Sequence, residues 1–372
     1  MNSDERMNAE TRRRREECQK RILSMSSLRL CVSVFIMFFC LASAASSAIA
    51  ADPPADLLSP RLDPAIARGL AFLAQQQKPS GVIEGGGPTT AMTGLSLMSF
   101  LSAGAAPGQG KFGGNVTSAV DYLIAKAPAD GYFGNTDGSR MYGHGIVTLA
   151  LAEAYGVETG KERRAKLRAV LDRAVKVILD AQQVRKDSNN AGGWRYERES
   201  GDSDLSLSGW CALALRASSD AGVNVPKDRV KRAVDYVLRC YRPEEKGFCY
   251  QPGNGATLPM TGVGVLNLYL LDAADRPEAI AGAKLLSEKF INASTDYPYY
   301  TYYYTTQAAY QAGESVWPTV WKVNQDQLLD QQQPDGGWPQ SRQGQEPGRV
   351  YSTAMSVLTL TVPYRLLPIY QR

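Results

Sequence analysis

Histidine is nearly missing: the 372 residues contain one, His144. A closed four-ligand zinc site of the Cys/His kind needs more than that, so no metal is expected, and no cofactor is implied. Cysteine is scarce as well. Of six, Cys18, Cys31 and Cys40 fall in the first fifty residues, which leaves Cys211, Cys240 and Cys249. Cys240 and Cys249 flank a turn and can pair in an oxidising compartment. Cys211 sits in an apolar helix pattern and reads as a small core residue. An excess of one charge is also lacking. The net charge of +4 is mostly local: residues 1–50 hold eight Lys/Arg and five Asp/Glu, and the remainder holds 33 against 32. That body lacks the basic footprint of a nucleic-acid partner.

What is present begins with a leader. Arg12 to Arg15, Lys20, Arg21 and Arg29 form a basic segment, Leu30 to Ala42 an apolar one, and Ala48-Ile49-Ala50 an A-x-A cleavage site. Residues 1–51 therefore read as a signal peptide or, if uncleaved, an N-terminal membrane anchor, since Leu30 to Ala50 is about long enough to cross a bilayer. Either way the positive-inside rule places the body outside the cytoplasm, periplasmic or secreted, with inner-membrane association if the segment is retained. Residues 52–62 read as a linker and 63–372 as one domain.

That domain repeats. Each unit has an amphipathic helix, a Gly-rich turn and a more apolar helix. The first helices share a core, as in Gly69-Leu70-Ala71-Phe72-Leu73 and Ala233-Val234-Asp235-Tyr236-Val237. The second helices align on Gly94, Gly145, Gly209, Gly262, Gln307 and Ala354. The residues just before these are Thr93, His144, Ser208, Thr261, Thr306 and Thr353, spaced 45 to 64 apart. Self-similarity at this period signals six stacked helical hairpins, all-α, with the apolar helices inside and Gly allowing close helix contact. Periodicity alone leaves an open solenoid and a closed ring equally available.

The turns add a resemblance. Gln182-Gln183 leads to Gly192-Gly193-Trp194, and Gln331 to Gln333 lead to Pro334-Asp335-Gly336-Gly337-Trp338. These resemble the glutamine–tryptophan repeats of the squalene cyclase and protein prenyltransferase superfamily, which implies six hairpins closed into an α/α toroid over roughly residues 61–372. More narrowly, Met141-Tyr142-Gly143-His144-Gly145 and the ending Leu366 to Gln371 resemble exported bacterial proteins carrying prenyltransferase/squalene-oxidase repeats.

In a closed toroid all inner-helix starts ring one mouth. Spacing then puts Thr93, His144, Ser208, Thr261, Thr306 and Thr353 in one layer, with Thr89, Arg140, Asp204, Thr257, Tyr302 and Arg349 one turn above. Six helix N-termini would add positive potential and suit an anionic or polyhydroxyl ligand. Arg140, Ser208, Tyr302, Arg349, Thr93, Thr261 and Thr353 are thus candidate ligand contacts. The acids offer a rival chemistry. Resemblance to the cyclase Asp-x-Asp-Asp motif puts Asp204 on the proton donor and Asp202 on its first partner, although Leu205 replaces the third acid. Burial and a paired carboxylate would keep such an acid protonated. His144, starting the neighbouring inner helix, lies within reach of Asp204 at ordinary helix spacing. The plain alternative is that Asp204 caps its helix and His144 is a hydrogen-bonded structural residue.

Three functions follow. One is a terpenoid-cyclase-like toroid with a central cavity that binds or acts on an isoprenoid, an isomerase or lyase if catalytic. The second is a non-catalytic binding or scaffold toroid. The third is a carbohydrate-active α/α toroid, with Asp202 or Asp204 as acid or base and Arg140 or Arg349 gripping a uronate. The partner is a small hydrophobic or polyhydroxyl molecule. The centre of the ring discriminates: an apolar pocket below Asp204 favours the first, a filled centre the second, an open polar groove the third.

Overall fold

The computed structural model describes residues 57–292, 295–313, 315–341 and 345–371, which fall in one compact unit. The leader lies outside the described residues. Among the described residues no helix is long and apolar enough to cross a membrane.

Among the described residues twelve α-helices form six hairpins, α1 Leu62–Gln75 with α2 Thr89–Ser102, α3 Gly113–Lys126 with α4 Arg140–Val157, and α5 Lys161–Gln183 with α6 Leu205–Asp220. Then follow α7 Lys227–Arg239 with α8 Leu258–Leu270, α9 Pro277–Glu288 with α10 Pro298–Ala312, and α11 Trp317–Gln331 with α12 Gly348–Leu360. The even-numbered helices form the inner layer. Each packs on the next, and α12 packs back on α2, so the ring is closed. A two-stranded hairpin, β1 Tyr241–Arg242 and β2 Gly247–Phe248, lies in the turn between α7 and α8.

The inner glycines face forward around the ring. A Cβ on Gly145 would meet Trp210 Cβ of α6 at 3.2 Å, and one on Gly262 would meet the backbone nitrogen of Thr305 in α10 at 2.9 Å. Their missing side chains let adjacent inner helices touch along their backbones.

The turns are built to one plan. A left-handed residue is followed two positions later by an apolar one that is pinned to the inner helix. Gly192 (φ 90) lies so close to α7 that a Cβ would sit 2.2 Å from the Arg232 carbonyl oxygen. Gly336 (φ 89) lies equally close to Arg68 of α1, which joins the last hairpin to the first. Glutamine fastens the same joints. Gln182 Nε2 donates to Gly192 O (2.9 Å) in its own turn and to Arg229 O (3.0 Å) in the next outer helix. Gln332 repeats this with Gly336 O (2.9 Å) and Ala65 O (2.8 Å), and Gln77 with Gly81 O and Asn115 O. Trp194 and Trp338 lock their turns through Nε1–H bonds of 2.8 Å to Ile178 O and Leu328 O of the outer helices.

The C-terminal segment, through a short 3₁₀ turn Pro368–Tyr370, packs on α4 and α6. Ile369 N donates to Glu153 (3.3 Å), and Tyr370 is hydrogen-bonded to Tyr303. Burial pushes Glu153 up to about 8, so it is mostly uncharged at neutral pH.

Candidate functional site at the N-terminal mouth

The layer expected to line the mouth does lie at one depth, but it faces the turns. Thr306 accepts from Asn324 Nδ2 of α11 (2.9 Å), and four others accept the backbone N–H of their own turn residue: Ile83 N to Thr93 (3.0 Å), Trp194 N to Ser208 (2.8 Å), Phe248 N to Thr261 (3.1 Å) and Trp338 N to Thr353 (3.0 Å). His144 does the same work, accepting from Phe133 N at Nδ1 (3.3 Å) and donating from Nε2 to Ala174 O (3.0 Å). Burial holds its pKa down to about 4, so it is a neutral Nε2–H imidazole. These five residues hold turns. His144 is no partner of Asp204, because it faces Phe133 and α5 instead of the axis.

The remaining candidates are also engaged. Tyr302 points outward, donating to Gln327 of α11 (2.6 Å). Arg349 forms a two-pronged bond with Asp335 (2.9 and 2.8 Å) and lies over the Phe72 ring. Arg140, held at φ 57, pairs with Glu197 (3.0 Å) at the surface. None of the three meets Asp204.

What does reach the axis lies two residues earlier on the inner helices. Tyr142, Ser206, Tyr304 and Tyr351 come from four different helices and share that register. Two residues are about 200° of helical turn, so a side that pins a turn forces its i−2 neighbour inward. Tyr142 donates to Ser206 Oγ (2.6 Å), and Ser206 Oγ donates to Asp204 Oδ1 (2.8 Å). Tyr300 donates to Ser206 O (3.4 Å) and its ring lies 4.5 Å from that of Tyr304. Below them Trp210 stacks on Tyr303 at 5.8 Å and meets Tyr304 edge-on at 5.5 Å. Helices α4 and α10 stand on opposite sides of the ring, yet Tyr142 and Tyr300 interact. The centre of the toroid is therefore filled with aromatic rings.

Asp204 is wholly buried and is the N-cap of α6; Oδ1 accepts from Leu207 N (2.8 Å). Its Oδ2 has no protein hydrogen bond. Arg195 Nε approaches it to 3.4 Å but is misaligned for one. Burial raises the carboxyl pKa, against the pull of these donors. Asp202 is half-exposed and pairs with Arg195 Nη1 at 3.1 Å. The Arg195 guanidinium lies 4.9 Å from the Tyr196 ring centre and 5.5 Å from that of Tyr250, whose hydroxyls are bonded at 2.7 Å. Tyr196 stacks on Tyr142 at 6.3 Å and is 36% exposed. Asp202, Arg195, Tyr196 and Tyr250 thus form an aromatic and charged platform at the rim, directly above the buried acid.

Two acids at inner-helix starts escaped the sequence reading. Asp137 accepts from Thr90 N (2.7 Å) at the start of α2, and Glu346 accepts from Tyr300 N (2.9 Å) at the start of α10. Each comes from the following turn, where no periodicity marks it. Burial pushes Glu346 up to about 7. With Asp204, they put a carboxyl on three of the six helix starts, offsetting the positive potential expected there. Among the described residues no group of three or more His, Cys, Asp or Glu is placed to hold a metal ion.

No family model matches the chain, and no curated protein matches it. Solved structures match its fold. An α-1,6-mannanase of glycoside hydrolase family 76 from Salegentibacter sp. gives a TM-score of 0.62 at 10% identity, over 82% of this chain and 99% of its own. A protein from Actinoplanes gives 0.55 at 14% identity, over 81% of this chain and 98% of its own. A type II terpene cyclase from Scytonema, 15% identical over 82% and 98%, gives 0.39, a value nothing rests on. These likenesses show an α/α toroid. They do not extend to a squalene cyclase assignment.

Proposed function

We propose that this protein is an extracytoplasmic α/α toroid that recognises a saccharide at the mouth where its inner helices begin. One observation carries the reading: the half-exposed Tyr196 ring, braced by Tyr142 and Tyr250, beside the guanidinium of Arg195 and the carboxylate of Asp202. Flat aromatic faces with fixed polar groups at their edges suit the apolar faces and hydroxyls of a sugar ring. The mannanase that shares the fold has been solved, as an inactive variant, with α-1,6-mannotriose, which makes mannooligosaccharides the first ligands to try. Export follows from the leader and remains part of the same proposal.

Hydrolysis is a second reading, favoured by Asp204 and Glu346. Both are buried acids with raised proton affinity, and Tyr300 spans them, its N–H on Glu346 and its hydroxyl on Ser206 beside Asp204. Glycoside cleavage needs one acid that keeps its proton and one that does not. The isoprenoid reading has less support, because Tyr142, Tyr300, Tyr304 and Trp210 occupy the volume that a folded isoprenoid would need. Titration calorimetry with mannooligosaccharides tests binding, and sugar release measured beside Asp204→Asn and Glu346→Gln tests cleavage. Release that survives both substitutions rules out the hydrolytic reading.

A further inference from the structure

We propose that Cys240 and Cys249 form a redox site, in which two facing thiols close to a disulfide that locks the turn ahead of α8. The inference does not rest on the saccharide reading. The strand register pairs Tyr241 with Phe248 and Arg242 with Gly247, so the next facing pair is Cys240 and Cys249. Cys249 N donates to Cys240 O (2.9 Å), and Cys249 Sγ lies 3.0 Å from the same oxygen. Facing residues of antiparallel strands have Cβ atoms about 4.5–5.5 Å apart, and a disulfide wants roughly 3.5–4.5 Å, so a small inward movement suffices. Both thiols are free and buried. Cys249 Sγ also lies 3.0 Å from Gln251 O, while the Cys240 thiol and Arg242 favour its thiolate, so of the two facing sulfurs Cys249 is the one that ionises first. Cys211, in α6, is also buried, and burial pushes its thiol up, so it is the built-in control.

The turn has a reason to need a lock. The left-handed position is held by Lys246 (φ 54) instead of glycine, and Phe248 stands where two other turns carry a tryptophan bonded to an outer helix. Phe248 packs so tightly that a Cβ on Gly264 or Gly282 would lie 2.4 or 3.0 Å from its ring. A two-stranded hairpin with an exposed turn at residues 243–246 opens locally, which admits a small oxidant. Cys249 thiolate attacks one sulfur of a low-molecular-weight disulfide such as glutathione disulfide, releasing one glutathione thiolate. Cys240 thiolate then displaces the second glutathione from Cys249. The protein loses two protons and two electrons, and the glutathione disulfide becomes two thiols.

The test is peptide mapping of the full-length protein after incubation with glutathione disulfide or with dithiothreitol, with free thiols alkylated in denaturant. The expected result is a Cys240–Cys249 cross-linked peptide pair in the oxidised sample only, with Cys211 alkylated in both. The melting midpoint should rise by up to roughly 4 °C on oxidation. Cys249→Ser should abolish both effects, and Cys211→Ala neither. Full alkylation of Cys240 and Cys249 after oxidation, a stable glutathione adduct, or linkage to Cys211 overturns the site. Cross-linking with an unchanged or lowered midpoint overturns the locking role.

Discussion

Asp204 carries a structural and a chemical identity in one carboxyl. One oxygen caps α6 and the other faces Arg195 without a hydrogen bond. Asparagine also caps well, so Asp204→Asn should keep stability within about 1 kcal/mol, while Asp204→Ala should cost roughly 1–2 kcal/mol in denaturant unfolding. If Asn and Ala are equally costly, the cap is not what holds this residue. Glu346 makes a pH prediction. Its folded-state pKa of about 7 lies above the ordinary glutamate value of 4.5, so the folded protein binds more protons than the unfolded chain between those values. Its contribution is complete below about 4.5 and is lost as pH rises through about 7, at up to about 1.4 kcal/mol per pH unit. Glu346→Gln should flatten that part of the curve. An unfolding free energy whose difference from wild type is constant from pH 4.5 to 8 would show that Glu346 does not titrate there.

At the scale of the element, the repeating unit is the Gln–Gly–Trp joint and the backbone contact made by glycine. Gly262→Ala should destabilise by roughly 1–3 kcal/mol, because the added carbon would meet backbone of α10, which cannot move aside as a side chain would. A melting midpoint equal to that of wild type would show that the inner helices have slack. Much of this was legible beforehand. The six aligned second helices and the role of glycine follow from the period and from the apolar pattern, and the turn tryptophans from the resemblance to glutamine–tryptophan repeats. The direction of the Thr93, His144 and Ser208 layer was not legible. Both sides of an inner helix are buried, so apolar pattern cannot say which side meets the axis, and Tyr142 lies only two residues from His144. Asp137 and Glu346 were hidden for another reason: each caps a helix of the preceding hairpin from an irregular turn, and one sequence has no signal for that partnership.

At the scale of the whole molecule, closure changes how stability is shared. In an open stack the terminal units fray first. Here α12 meets α2, and the Gln332 and Gly336 joint meets α1. Amide exchange should therefore give α2 and α12 protection equal to α6, and unequal protection falling toward both ends would describe a solenoid instead. With the centre filled, the saccharide recognition proposed above falls to the rim and not to a pore. Titration calorimetry of wild type and Tyr196→Ala against a mannooligosaccharide series, alongside thermal melting, is the most direct measurement of that claim. Saturable binding by wild type, weakened at least about tenfold in Tyr196→Ala with an unchanged melting midpoint, is the result expected. Binding that Tyr196→Ala leaves intact, or no binding of any oligosaccharide by the folded wild-type protein, would contradict it.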